Sequence, residues 1–457
     1  MDRIQLSRAS ASVRTSTGVT RPARLIVAAY TGLVIVGTGV LLIPAATAPG
    51  QRTSVADALF TSASSVSITG LATVDTGTHW SLFGQLVILA LMQVGGLGIM
   101  TLATLVTVLI SGRLALRDRL AAQAETQALS LSDIGRLLRG IVVFSLSVEA
   151  VATLILWLWL ASRYGEPSGR AFYHGVFHAV AAFNNGGLSL YPDSLTRFVA
   201  DPVVCVTVAA AVIVGGVGYP VWVELRRSWR RPSTWSVLTR ITVVLTVALL
   251  ALGTLVVTLT ELTNPATIGG MSGPQQLLAG FFHATMTRSA GFATVDVGEM
   301  RPTTLFVSDV LMFIGGGSAS TAGGIKVTTF GVLAFVLWSE VRGEPSVIVG
   351  RRRIPESNQR QALAVALLSI AVVVVTTLLL LGMSPYGLDR TLFEAISAFA
   401  TVGLSTGITP ALPPAAVVVL SVLMLGGRVG PLTVATALAL RSRNRRFDRP
   451  EERTIIG

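Results

Sequence analysis

A short run near the carboxyl terminus, Thr401-Val402-Gly403, has the composition of backbone that can bind a bare cation. When such a run lies between apolar helices, its carbonyl oxygens can replace the water that an ion loses. Glycine suits this chemistry because its backbone adopts conformations closed to other residues, and because it has no side chain to keep an ion from the carbonyls. We therefore interpret Gly403 as one position of a cation pathway.

Three less regular copies of this motif precede it, and each places a glycine before Leu or Phe. A single Thr-Gly or Gly-Gly pair is most often a helix-breaking turn, but four copies in one hydrophobic chain favour a pore. The predicted ion ligands are the backbone carbonyls of Gly70, Gly187, Gly291 and Gly403. The predicted selectivity filter comprises Thr69, Gly70, Asn185, Gly186, Gly187, Ala290, Gly291, Thr401, Val402 and Gly403.

The four glycines recur at intervals of 117, 104 and 112 residues. A repeat of this length predicts four units, each made of a helix, a short pore helix with an extended return, and a second helix. We place these units at residues 24–112, 136–228, 237–342 and 359–441. A cytoplasmic amino-terminal segment (1–23) and a cytoplasmic carboxyl-terminal tail (442–457) complete the predicted organisation.

The composition is typical of a chain that crosses a membrane many times. Of 457 residues, 51% are hydrophobic and 13% are charged, and the mean hydropathy is +0.69. Eight apolar stretches are long enough to cross a bilayer: residues 24–43, 82–110, 140–161, 203–224, 237–260, 303–338, 361–383 and 414–440. We predict an all-α polytopic membrane protein with eight transmembrane helices around one central pore. The first stretch resembles a signal peptide, but its length favours a retained span.

Arginine clusters follow the second, fourth, sixth and eighth apolar stretches and account for the net charge of +12. Because basic residues near span ends stay in the cytoplasm, both termini should be cytoplasmic and the glycine motifs should lie outside. Nucleic-acid binding is therefore not expected. Asp75, Asp193 and Asp296 follow their glycines closely, so they either ring the outer mouth of the pore or are ordinary solvated loop acids.

The sixth apolar stretch is interrupted by small residues. Its apolar flanks are each half a span long, which predicts a broken helix with an intramembrane loop that acts as a gate. The loop comprises Gly315, Gly316, Gly317, Ser318, Ala319, Ser320, Thr321, Ala322, Gly323 and Gly324. Lys326, the only lysine in the sequence, either takes part in gating or extends its ammonium group to the membrane surface.

Two further charges lie at predicted membrane depth, and a third lies beside a glycine motif. Arg428, midway in the eighth stretch, either faces the inner cavity and opposes cation passage or pairs with an acid. Glu149 lies midway in the third stretch and needs a partner or water. Arg288 is adjacent to the third glycine motif, where it would repel a cation, so we expect it behind the filter as a structural brace.

The remaining reactive side chains do not form a catalytic or metal-binding pattern. His174 and His178 are four residues apart, but no third zinc ligand follows at useful spacing. Cys205 lies in an apolar run, as a buried inert thiol would. We find no paired nucleophile and base and no phosphate-binding loop, so an enzyme is not expected. A voltage-gated channel is disfavoured because no span carries arginine at every third position.

These features together resemble the Trk/Ktr/HKT superfamily of potassium transporters. The resemblance rests on the four glycine units, on Gly-Gly-Ser-Ala-Ser-Thr-Ala-Gly-Gly-Ile-Lys at residues 316–326, and on Gly-Arg-Val-Gly-Pro-Leu-Thr at residues 427–433. It extends from Arg24 to Arg441. We expect a Ktr-type membrane subunit, because the two additional amino-terminal helices of other members do not fit ahead of Arg24.

The resemblance implies K⁺ uptake across the bacterial plasma membrane by a homodimer with one pore per subunit. It also implies a cytosolic KtrA-like ring that binds ATP or ADP and gates the pore, and stimulation by Na⁺. Gly70 implies K⁺ selectivity, while the 315–324 loop and Arg428 correspond to the family's gate. The alternatives are a sodium-permeable or K⁺/Na⁺ symporting relative and, less favoured, a membrane-bound enzyme.

Overall fold

The chain is almost entirely helical. The computed structural model describes residues 21–120, 131–350 and 352–440, so most of the predicted terminal segments lies outside the described residues. The described helices are α1 (Arg21–Leu41), α2 (Val55–Ser67), α3 (Thr76–His79), α4 (Leu82–Leu120), α5 (Leu131–Arg163), α6 (Ser168–Phe183), α7 (Pro202–Val217), α8 (Tyr219–Ser228), α9 (Val237–Glu261), α10 (Gly273–Met286), α11 (Pro302–Phe313), α12 (Val327–Val341), α13 (Glu356–Met383), α14 (Leu388–Phe399) and α15 (Pro414–Leu440). Strands β1 (Ile348–Val349) and β2 (Arg352–Arg353) form an antiparallel hairpin between α12 and α13.

Several of these helices have the length and composition of membrane spans. Within the described ranges, four segments qualify by themselves: Leu82–Leu102, Gly135–Arg163, Val237–Glu261 and Glu356–Met383. Helices α1, α11, α12 and α15 contain shorter apolar stretches. The predicted all-α membrane architecture is therefore confirmed, whereas the number of eight crossings stays a prediction.

The predicted fourth span, residues 203–224, consists of two helices joined at a sharp bend. Helix α7 ends at Val217, and α8 leaves it at an angle of 94°. The bend lies at Gly218, which has a φ of +96°. A Cβ at Gly218 would lie 2.9 Å from the Ser318 carbonyl oxygen and 3.0 Å from that of Ala319. Only glycine therefore lets the chain turn where the glycine-rich loop of the sixth predicted span packs against it.

Four short helices, α2, α6, α10 and α14, occupy the interior of the molecule. Each packs against the helix that precedes it in the chain: α2 on α1, α6 on α5, α10 on α9 and α14 on α13. A fully buried phenylalanine anchors each of them: Phe60, Phe177, Phe282 and Phe393. Phe60 and Phe393 belong to one hydrophobic cluster, and Phe177 and Phe282 belong to a second. The two clusters hold the carboxyl ends of the short helices close to the four glycine motifs.

Candidate ion pathway

Each short helix leads into a three-residue stretch that ends at a predicted filter glycine. We refer to residues 68–70, 185–187, 289–291 and 401–403 as the glycine segments. In every segment the first and third residues have positive φ: Ile68 (50°) and Gly70 (97°), Asn185 (61°) and Gly187 (59°), Ser289 (101°) and Gly291 (65°), Thr401 (48°) and Gly403 (96°). Positive φ is costly for β-branched residues, so the surrounding structure must impose this shared backbone shape.

The four glycines form a closed ring. A Cβ built on Gly70 would lie 3.0 Å from the Gly187 Cα, and one on Gly187 would lie 3.2 Å from the Gly291 Cα. The corresponding distances are 2.8 Å from Gly291 to the Gly403 Cα and 2.9 Å from Gly403 back to the Gly70 Cα. Glycine is therefore required because its missing side chain lets neighbouring segments approach each other, a reason that the sequence argument did not include.

The predicted filter residues thus come together from four distant parts of the chain. Six of the eight other positions of the glycine segments are the predicted filter residues Thr69, Asn185, Gly186, Ala290, Thr401 and Val402. The carbonyl oxygens of Thr69, Gly186, Ala290 and Val402 each lie against the glycine of an adjacent segment. The four segments thus bring backbone carbonyl oxygens into one ring of contacts. Backbone carbonyls are groups that can replace the hydration shell of a cation.

A cavity of about 860 Å³ opens on one side of the glycine ring. We refer to it as the vestibule; its lining includes Gly70, Gly187, Gly291 and Gly403 as well as Asp75, Asp193 and Asp296. These acids also hold local turns, since Asp75 accepts a hydrogen bond from the Thr78 N–H at 2.7 Å and Asp296 accepts one from the Gly298 N–H at 2.9 Å. All three acids therefore line the vestibule, and Asp75 and Asp296 also stabilise local turns.

Asp193 adds fixed negative charge to the vestibule at neutral pH. Partial burial raises the pKa of its carboxyl group, but the hydrogen bonds from Thr196 and Arg197 lower it by a larger amount. The pKa of Asp193 therefore lies below the ordinary value. Arg197 Nη2 lies 3.1 Å from Asp193 Oδ1, in an exposed ion pair. The carboxylate stays ionised at neutral pH, and the Arg197 guanidinium offsets part of its charge at the vestibule.

Two serines on the short helices position the first and fourth glycine segments. The Ser64 hydroxyl accepts a hydrogen bond from the Gly70 N–H at 3.0 Å, and the Ser397 hydroxyl accepts the equivalent bond from the Gly403 N–H at 3.0 Å. Both serines lie six residues before their glycines and are fully buried. Sequence reasoning missed them, although their identical spacing was a visible signal.

We expect Ser64→Ala and Ser397→Ala to reduce ion discrimination about five-fold each, because a buried N–H without an acceptor costs about 1–3 kcal/mol and the segment would relax. Tracer uptake with competing cations would measure this change. Thr285→Ala is the matched control. Thr285 also lies six residues before its glycine, but its hydroxyl donates to the Phe281 carbonyl at 2.8 Å. Equal losses in all three variants would contradict the assigned role of the serines.

The 315–324 loop lies between α11 and α12 and is closed at its base by backbone hydrogen bonds. The Gly315 N–H donates to the Ile325 carbonyl at 2.9 Å, and the Val327 N–H donates to the Gly316 carbonyl at 2.9 Å. The residues of the loop are buried except for Ser318, which is half-buried. The loop is thus a compact element inside the protein and not a surface linker.

This loop reaches the bend between α7 and α8 and the end of α6. The Gly317 N–H donates to the Gly216 carbonyl at 2.8 Å, and the Thr321 N–H donates to the Gly215 carbonyl at 3.3 Å. The Thr321 hydroxyl donates to the carbonyl of Phe183, the last residue of α6, at 3.2 Å. The loop therefore bridges two separate parts of the bundle.

The loop also contacts two glycine segments directly. Ser289 accepts a hydrogen bond from the Gly323 N–H at 2.9 Å and donates its hydroxyl to the Thr401 carbonyl at 3.2 Å. A Cβ at Gly323 would lie against the Thr401 hydroxyl oxygen. Any movement of the loop is therefore coupled to the backbone of residues 289–291 and 401–403.

Three basic side chains lie near this loop, and they differ in their hydrogen-bond partners. Lys326 is half-buried and its ammonium group donates to the Ala322 carbonyl. Arg288 is buried and donates through Nη2 to the Gly315 carbonyl at 3.1 Å, so it joins the residue that precedes the third glycine segment to the loop. Arg428 is 4% exposed, and its three guanidinium nitrogens have no hydrogen-bond partner in the part of the chain that the structure describes. The alternative in which Arg428 pairs with an acid is not seen among those residues.

Glu149 is buried in α5 and binds amide groups instead of a basic residue. The Gln93 Nε2 atom donates to its two carboxyl oxygens at 3.1 and 3.2 Å, and the Asn184 Nδ2 atom donates at 3.3 Å. Asn184 caps the carboxyl end of α6 and precedes the second glycine segment. Through its hydrogen bond with Asn184, Glu149 therefore supports the residue that leads into the second glycine segment.

The histidines and the cysteine have structural roles. His174 Nδ1 lies 2.9 Å from the Tyr191 hydroxyl, and His178 Nε2 lies 3.0 Å from the Ser189 hydroxyl. Over the described ranges, no group of three His, Cys, Asp or Glu side chains could hold a metal ion. Cys205 is buried and its thiol donates to the Phe198 carbonyl at 3.2 Å.

Comparison with known proteins identifies the family. The model of the TrkH family, described as cation transport proteins, matches residues 11–446. The chain belongs to the TrkH family. This membership confirms the predicted superfamily and the prediction that the protein is a transporter and not an enzyme.

Individual TrkH-family relatives match along most of the chain. The Ktr system potassium uptake protein B of Bacillus subtilis is 39% identical over 89% of this chain and 90% of the relative. The potassium/sodium uptake protein NtpJ of Enterococcus hirae is 30% identical over 95% of this chain and 97% of the relative. The crystal structure of the potassium transporter TrkH from Vibrio parahaemolyticus matches with a TM-score of 0.70 at 19% identity, covering 93% of this chain and 85% of that one. This structural match shows a shared fold.

Proposed function

We propose that this TrkH-family protein carries K⁺ into the bacterial cell through the glycine ring and past the 315–324 loop. The observation that carries the proposal is the cyclic contact of Gly70, Gly187, Gly291 and Gly403. The Ktr system potassium uptake protein B, at 39% identity, supports K⁺ as the substrate. The four units, residues 24–112, 136–228, 237–342 and 359–441, each supply one segment of this ring.

Transport follows from the order of these elements. A cation enters the acidic vestibule, exchanges water for backbone carbonyls at the glycine ring, and then meets the 315–324 loop. A membrane potential of 100 mV supplies about 2.3 kcal/mol per unit charge, which can drive uptake without another energy source. The loop closes the inner side and, together with Lys326 and Arg428, opposes passage of a cation.

Regulation is proposed to come from a separate subunit. The Bacillus subtilis relative is named as one protein of a Ktr system, which supports a KtrA-like cytosolic ring that binds ATP or ADP. We place the termini of the chain in the cytoplasm, next to this ring, because the arginine clusters lie on that side. A homodimer with one pore per subunit completes the proposed assembly.

Two roles are proposed for sodium as alternatives. The relative named as a potassium/sodium uptake protein supports either stimulation of K⁺ uptake by Na⁺ or K⁺/Na⁺ symport. The two alternatives differ in stoichiometry. Stimulation predicts no net Na⁺ movement with K⁺, whereas symport predicts Na⁺ entry coupled to it.

Purified protein in proteoliposomes tests the proposed function. A rubidium tracer should enter down an imposed potential, K⁺ should compete with it, and a ring subunit with ATP should increase the rate. Sodium tracer measured in the same vesicles distinguishes stimulation from symport. Absence of rubidium or K⁺ flux, with and without the ring and nucleotide, would reject the proposal.

A further inference from the structure

Each short helix carries a polar residue eight or nine positions before its glycine. These residues are Thr61 in α2, His178 in α6, His283 in α10 and Glu394 in α14. Glu394 is the one carboxylate of the four, and it is 0% exposed. Because a buried carboxylate loses its hydration, it needs hydrogen-bond donors or a positive charge as compensation.

The hydrogen bonds of Glu394 all come from the chain that follows the fourth glycine segment. Its Oε1 atom accepts from the Thr406 N–H at 3.1 Å and also from the Ser405 hydroxyl. Its Oε2 atom accepts from the Thr409 hydroxyl at 2.9 Å. The Thr406 N–H can only donate, and the two hydroxyl groups can also donate, so all three partners can bind an ionised carboxylate. No Arg, Lys or His within the described part of the chain forms an ion pair with it.

Ser405 connects this carboxylate to the ion pathway. It lies two residues after Gly403, and both residues line the vestibule. One serine hydroxyl therefore separates the Glu394 carboxylate from the space that an entering cation occupies. Because the Glu394 carboxylate is buried away from bulk water, its negative charge acts on the cation more strongly than the charge of an exposed acid does.

The second short helix has the same architecture without a carboxylate. His178 lies nine residues before Gly187, and its Nε2 atom contacts the hydroxyl of Ser189, two residues after that glycine, at 3.0 Å. Ser189 also lines the vestibule. Glu394 and His178 both anchor a segment through a serine, but of the two only Glu394 carries a negative charge. Comparing variants of these two residues therefore distinguishes the effect of anchoring from the effect of charge.

We propose that Glu394 is a specificity-determining residue whose negative charge raises the affinity of the outer end of the glycine ring for K⁺. The inference rests on the proposed function and assigns it an electrostatic component from one side of the ring. The carboxylate has hydrogen bonds but no paired basic side chain, so a cation at the ring is the positive charge that it attracts.

Glu394→Gln removes the charge and keeps the shape. In proteoliposomes, the K⁺ concentration for half-maximal uptake should rise about ten-fold, a change that corresponds to about 1.4 kcal/mol, while the maximal rate stays within about two-fold. Glu394→Asp retains the charge and should stay within about three-fold of the wild-type half-saturation. The amide oxygen of the new glutamine can still accept the hydrogen bond from the Thr406 N–H. The variant should therefore fold, and its size-exclusion and membrane-insertion profiles should match those of the wild type.

His178→Gln is the matched control, and its half-saturation should stay within about three-fold of the wild type. An unshifted Glu394→Gln variant, or an equal shift in His178→Gln, would overturn the inference. If Glu394→Gln fails to fold, Ser405→Ala removes one donor but leaves the charge, and a ten-fold shift there would overturn it. A wild-type protein without any flux would reject the proposed function instead, so the two failures are distinguishable.

Discussion

Replacing Gly70 by serine should lower the K⁺/Na⁺ selectivity of uptake at least about ten-fold, a loss of about 1.4 kcal/mol. A Cβ at this position would lie 2.9 Å from the Gly186 carbonyl oxygen and 3.0 Å from the Gly187 Cα. The neighbouring segment must therefore move, and with it the carbonyl that an ion would contact. The φ of +97° adds backbone strain.

Competition of K⁺ and Na⁺ against a rubidium tracer measures this selectivity. Gly407→Ser is the matched control, because Gly407 has a φ of +85° and lines the same vestibule but has no heavy atom within 4 Å of a built Cβ. It shares the backbone strain of Gly70 without the contact to another segment. We expect its selectivity to stay within about two-fold of the wild type, with a stability loss of about 1 kcal/mol.

The outcome separates two reasons for the glycine. Equal loss of selectivity in both variants would mean that backbone strain alone disturbs the pathway, and that the ring contact is not essential. Unchanged selectivity in Gly70→Ser would contradict the assignment of the ring. Because the contacts are cyclic, serine at Gly187, Gly291 or Gly403 should act in the same direction.

The glycine positions could be predicted because their signal is local and repeated. A glycine before Leu or Phe, at a period near 110 residues, is visible in the sequence without knowledge of any contact. The all-α membrane class follows from composition in the same way. What the sequence could not provide is the partner of each glycine, since neighbouring ring members are more than 100 residues apart.

Other features depended on packing that no local pattern encodes. The bend at Gly218 was hidden in an apolar run whose hydropathy predicts one span, and it arises from contact with the carbonyls of Ser318 and Ala319. The roles of Ser397 and Glu394 depend on how the chain returns past the end of α14. Arg428 had two open alternatives, and its environment in the folded protein excludes an acidic partner among the described residues.

Deleting residues 317–322 should raise basal K⁺ flux at least about ten-fold, equivalent to about 1.4 kcal/mol of barrier, and reduce its dependence on nucleotide. The deleted residues include Gly317 and Thr321, whose hydrogen bonds join the loop to α6 and to the α7–α8 bend. The base of the loop, where Gly315 pairs with Ile325 and Gly316 pairs with Val327, remains. The helices α11 and α12 should therefore stay together while the inner side of the pathway opens.

Tracer flux with and without the ring subunit and nucleotide measures this effect. Ser318→Ala is the control within the loop, because the Ser318 hydroxyl bonds to the nearby Thr328 hydroxyl, at 2.6 Å. Loss of this local bond should leave flux within about two-fold. Thr321→Val should give an intermediate increase, since it removes the bond to the Phe183 carbonyl. A deletion variant that folds and remains silent would show that the loop does not block the pathway.

Lys326→Met separates the bulk of the loop from the charge beside it. The ammonium group donates to the Ala322 carbonyl, so it is held against the loop. If backbone packing forms most of the barrier, this variant should raise basal flux only about three-fold, well below the deletion, with the loop still anchored at Gly317 and Thr321. An increase equal to that of the deletion would instead assign the barrier to charge, because removing one ammonium group would then be enough to let a cation pass an intact loop.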